Sequence, residues 1–137
     1  MNTNDAKIYY INLSDLLKDE IKEYIDDQES CAQDKILNII KQIHYSDIAP
    51  FISELNYDRK TIFLKTFYQE IDPLFLTKLH DLVLEEVVEI LGSNIIAKLL
   101  SRLESSEVLD IIEDLDKNLQ EDILEIISKK IKDEVEI

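Results

Sequence analysis

The sequence predicts an all-α solenoid of short helices, on three observations. Apolar residues recur every twelve positions, at Ile43, Leu55, Phe67, Leu79, Leu91, Leu103, Leu115 and Ile127. Each is preceded, four and three residues earlier, by an apolar pair: Ile39/Ile40, Phe51/Ile52, Phe63/Leu64, Phe75/Leu76, Val87/Val88, Leu99/Leu100, Ile111/Ile112 and Ile123/Leu124. With 45% apolar residues overall, chance gives such a match on the order of once in 10⁸. Finally, one Gly and two Pro fall far below the usual ~7% and ~5%, which removes the turn-rich β architectures.

Apolar residues at i, i+1 and i+4 mark one face of an α-helix. In an unbroken helix, twelve residues at ~100° each would rotate that face by about 120° per repeat and scatter it around all sides. The helices must therefore break, and residues that start helices stand at each boundary: Ser46-Asp47, Asn56 to Asp58, Asp72-Pro73, Asp81, Gly92-Ser93-Asn94, Ser105-Ser106 and Asn118. Ser, Asp and Asn are N-cap residues, Asp72-Pro73 reads as a cap followed by Pro at the first helical position, and Asn118 with Glu121 has capping-box spacing. Pro50 is expected within a first turn, where it is tolerated. The expected result is a series of helices of about nine residues with turns near 45, 57, 69, 81, 93, 105 and 117. Each is too short to be stable alone and buries its stripe only against neighbours.

Two segments are predicted, residues 1–31 as a tail with a capping helix and residues 32–137 as the repeat domain. Residues 1–7 are expected to be disordered, Ile8-Tyr9-Tyr10-Ile11 to dock as an extended anchor, and Leu13, Leu16, Leu17, Ile21, Tyr24 and Ile25 to form an amphipathic capping helix. At the other end, Ile123, Ile127, Ile131 and Val135 keep one face at spacing four, so the last helix is expected to overrun its repeat.

The net charge of −15 repels phosphate backbones and anionic lipid surfaces, so nucleic acid is not an expected partner. No signal sequence and no apolar run of ~20 residues is present, which reads as a soluble, cytosolic chain with no membrane insertion. Cys31, the single cysteine, forms no internal disulfide and reads as a half-buried small residue. His44 and His80 lack a Cys or second His at ligand spacing, which assigns them to turns or caps rather than to a metal. One Gly cannot make a phosphate-cradling loop, and no nucleophile, base and orienting partner can be assembled, so neither an enzyme nor a cofactor-binding site is expected.

Carboxylates are the remaining chemistry. Glu107, Asp110 and Asp114, at i, i+3 and i+7, lie within about 60° of one another on one helix ridge. Glu86, Lys98 and Asp122 occupy the position equivalent to Asp110, and Glu89 and Glu125 that equivalent to Glu113. Such rows suit weak binding of Mg2+ or Ca2+, hard cations that take oxygen ligands, and equally suit a solvated acidic face.

Two stretches resemble the cytosolic N-terminal domain of the MgtE family of magnesium transporters. Ile43-His44-Tyr45-Ser46-Asp47-Ile48-Ala49, followed by Ser53-Glu54-Leu55, is similar to the family's I-H-P-x-D-I/L-A…E-L opening, with Tyr45 where Pro is usual. Glu107-Val108-Leu109-Asp110-Ile111-Ile112-Glu113-Asp114-Leu115 resembles its D-x-A-D-L-L-E-E-L unit. The similarity runs ungapped from Leu37 to Lys130. It implies a right-handed superhelix, Mg2+ held between the acids of this domain and partner CBS domains, and a transmembrane domain gated by that closure. Asp110 is the acid that best matches a family Mg2+ position, whereas Ser106 and Leu74 stand where the family pattern is acidic. The competing reading is a protein-binding scaffold of the kind formed by the middle domain of the flagellar switch protein FliG, with no metal role.

Overall fold

The computed structural model describes Asp19 and residues 30–135, with side chains for residue 19 and residues 33–130. The expected tail, anchor and capping helix before Ser30, the side chains of Cys31, Ile131 and Val135, and the boundary at 31/32 lie outside the described residues. Backbone contacts divide the chain into two compact units, one ending at Asp72 and one starting at Pro73.

The first unit holds α1 (Ser30–Gln42), α2 (Tyr45–Glu54), α3 (Tyr57–Phe67) and a 3-10 turn (Tyr68–Glu70). The second holds a 3-10 helix (Pro73–Lys78), α4 (Asp81–Leu91), α5 (Ser93–Leu100), α6 (Ser105–Glu113) and α7 (Lys117–Val135). No strand occurs among the described residues, and the fold is all-α. Helices begin at 45, 57, 81, 93, 105 and 117, on the expected boundaries, and none runs through two of them.

The helix starts share a register, although His80 and Gly92 make no side-chain cap hydrogen bond. The residue directly after six of the eight twelve-residue apolar positions precedes a helix: His44, Asn56, His80, Gly92 and Glu104 are N-caps, with Asp116 in the same place before α7, whereas Tyr68 opens the 3-10 turn and Ser128 lies within α7. His44 Nδ1 accepts from the Ser46 N–H at 3.2 Å, Asn56 Oδ1 from the Arg59 N–H at 2.9 Å, and Asp116 Oδ1 from the Leu119 N–H at 2.9 Å. Glu104 and Glu107 form a reciprocal capping box, the Glu104 N–H donating to Glu107 Oε1 at 3.0 Å. Each bond satisfies a donor that the first turn of a helix leaves without an intrahelical partner. The N–H groups of Ile43, Leu55, Leu103 and Leu115 each donate to the carbonyl three residues back, closing the preceding helix.

This register makes the repeated apolar residue the N′ position, whose hydrophobic partner is N4. The N4 residues of successive helices are Ile48, Lys60, Leu84, Ile96, Val108 and Gln120. Ile48, Leu84 and Ile96 are buried, and so is Lys60, the buried charged residue among those described. Lys60 carries an aliphatic stem into a place that apolar residues fill elsewhere, while its head group keeps a polar end. At the last N4 position, Gln120 instead donates from Nε2 to the Leu115 carbonyl at 2.8 Å.

Several caps thus lie one or two residues earlier than the sequence suggested. Ser46 and Asp47 are inside α2, Ser105 and Ser106 inside α6, and Asn118 inside α7, so no Asn118–Glu121 box opens that helix. Pro50 is the sixth residue of α2, past the first turn. Its missing N–H would have met the Ser46 carbonyl, and Pro50 itself lies exposed on the helix surface. The repeat after Asp72 is a 3-10 helix rather than an α-helix. Pro73 fixes φ at its start, and the Thr77 hydroxyl donates to the Leu74 carbonyl at 2.7 Å, a bond to residue i−3 that competes with α-helical pairing. The tighter segment still buries Phe75 and Leu76.

The apolar pairs form the core. All members are buried except Ile39, which is half-buried, and Leu124, which is 43% exposed. Among the twelve-residue positions Phe67, Leu79, Leu91 and Leu115 are buried, whereas Ile43, Leu55 and Leu103 are half-buried at turns and Ile127 is half-buried within α7. In the first unit Phe51 meets Phe63 edge-on at 5.4 Å between ring centroids, and Phe63 lies 5.6 Å from Phe67. Here α1 touches the 3-10 turn, while in the second unit α5 touches α4 and α7, and α6 touches the 3-10 helix. Short helices thus bury their stripes on sequence-distant neighbours as well as adjacent ones.

Candidate functional site

A capping box at the start of α6 and a C-cap at its end decide how the acidic ridge is presented. Ser105–Glu113 forms a helix because Glu104 and Glu107 satisfy its first N–H groups and because Ile111 and Ile112 anchor one face in the core. Glu107 is half-buried and committed to the capping box, which leaves it fewer lone pairs for any other partner. Asp110, one turn on, is exposed. Asp114 is the C-cap, still in αR conformation (φ −83°, ψ −7°), with its N–H on the Ile111 and Ile112 carbonyls, and its side chain is exposed.

All three predicted residues therefore belong to one helix and its C-cap. A helix rises ~1.5 Å per residue, so Glu107 and Asp114 lie roughly 10 Å apart along the axis. Among the described residues, no group of three or more His, Cys, Asp or Glu converges to hold a metal ion. Negative charge accumulates at the far end of the ridge. Glu113 and Asp114 stand at the negative end of the α6 dipole, and no basic residue lies in its last turn. Asp116 is matched instead to the positive end of α7. Glu113 of α6 is exposed, as are the equivalent-position residues of the other repeats, Glu89, Asp122, Glu125 and Lys98, while Glu86 is half-buried.

Sequence reasoning missed Glu104, whose side chain is spent on the capping box. Its signal was readable: Glu104 directly follows a twelve-residue apolar position and stands three residues before Glu107. Ser106 is exposed and Leu74 half-buried, so neither supplies a carboxylate where the family pattern has one. In the first unit, a cleft of about 300 Å3 is lined by His44, Tyr45, Glu70 and Asp72 together with apolar residues. His44 Nδ1 is engaged there by Ser46, and its ring stacks at 4.2 Å on Tyr45.

The structure gives the opening motif a physical sense. Ile43 is N′, His44 the N-cap, Tyr45 the first helical residue, and Ile48 and Ala49 core residues. N1 is where Pro is most acceptable in a helix, and it is the position at which the similar motif has Pro and this chain has Tyr45. Among the described residues, no helix is long and apolar enough to cross a membrane. Neither the curated proteins nor the solved structures yield a match to this chain. The family model described as the MgtE intracellular N domain matches residues 43–137, from the first N′ residue through all the later repeats. On that match, and with the cap-and-staple register it runs through, the chain belongs to the MgtE intracellular N domain family.

Proposed function

We propose that this chain is the regulatory cytosolic domain of an MgtE-like magnesium transporter, and that it answers Mg2+ through Asp110, Asp114 and Glu107. The family match over residues 43–137 carries this reading. In it, the repeats wind as a right-handed superhelix, and the acidic ridge packs against CBS domains of the same transporter chain, which lead to a membrane-spanning pore. Two acidic surfaces a few ångströms apart repel strongly unless a cation lies between them. Loss of Mg2+ then separates the domains and releases the pore.

The residues fit half of such a site. Asp110 and Asp114 present exposed carboxylates, and Mg2+ commonly takes one or two carboxylates and keeps several waters. Glu107, held by the capping box, contributes mainly charge. When bound, Mg2+ would supply charge neutralisation between two acidic faces, and the chain's own part is to hold two carboxylates on a rigid ridge.

Half a site binds weakly, with a Kd on the order of millimolar. At matched ionic strength, where general screening is constant, Mg2+ at about ten times that Kd should stabilise the chain by about 1.4 kcal/mol more than Na+. Asp110→Asn should remove much of that difference. Equal melting curves in both salts, with Asp110→Asn indistinguishable from the parent, would favour the scaffold reading. The engagement of Glu107 in a cap and the absence of a converging acid group among the described residues are the observations that keep that second reading in play.

A further inference from the structure

We draw no further inference here: the strongest candidate, the cleft of the first unit lined by His44, Tyr45, Glu70 and Asp72, carries nothing, because Lys41 lines it together with those two exposed carboxylates, so its charge selects no ligand, and nothing in the structure shows what covers it.

Discussion

Leu115→Asp is expected to unfold most of the chain at room temperature, whereas Leu109→Asp, six residues earlier, leaves it folded. Leu115 is 4% exposed, beside the buried Ile111 and Ile112 in sequence and at the junction of α6 and α7; Leu109 is 56% exposed. Replacing a buried leucine removes about 2–5 kcal/mol of packing, and a carboxylate adds the penalty of a polar group without a partner. Together these approach the whole stability of a small domain, about 5–15 kcal/mol. Leu103→Asp should fall between the two, because Leu103 is half-buried at its turn rather than sealed in the core. Urea unfolding followed by circular dichroism orders the three. A Leu115→Asp midpoint close to that of Leu109→Asp would mean that the twelve-residue position is not core there.

Gly92→Ala should cost about 1–3 kcal/mol, through the backbone alone. Gly92 is the single residue between α4 and α5, with φ 88° and ψ 156°, a region that side chains of L residues rarely enter. Nothing lies within 4 Å of a Cβ placed on it, so the loss owes nothing to a clash. D-alanine, for which a positive φ is ordinary, should restore most of the stability when introduced by semisynthesis. Equal thermal unfolding of the glycine and L-alanine proteins would contradict the strained hinge.

The helical register was legible because the repeat is a physical necessity as well as a pattern. A stripe that advances twelve residues at a time cannot stay on one face of a continuous helix, and the observed starts at 45, 57, 81, 93, 105 and 117 follow from that. The caps were harder to place, since Ser46, Asp47 and Asn118 have the favoured chemistry but the wrong distance from the preceding apolar residue. His44, Glu104 and Asp116 win by standing directly after it, where the closing bond to residue i−3 ends one helix and the cap starts the next. Pro73 was read as an α-helix start, while the Thr77 hydroxyl bond that accompanies the tighter turn depends on a rotamer no sequence pattern displays. At the acidic ridge, spacing put Glu107 and Asp110 on one helix and Asp114 at its C-cap, but among the described residues no three such groups converge on a metal. Spacing along the ridge alone did not reveal that Glu107 is spent on the Glu104 N–H; that takes the cap register, in which Glu104 directly follows Leu103.

The most direct test of Mg2+ recognition by α6 replaces the ion with Mn2+, a paramagnetic cation that also takes octahedral oxygen ligands. Substoichiometric Mn2+ added to the isotopically labelled chain should broaden the amides from Glu107 to Asp114 before any others, excess Mg2+ should restore them, and Asp110→Asn should blunt the effect. Broadening spread evenly over the acids of α4, α6 and α7, or not reversed by Mg2+, would contradict a metal-responsive ridge and leave those carboxylates as a solvated or protein-docking face.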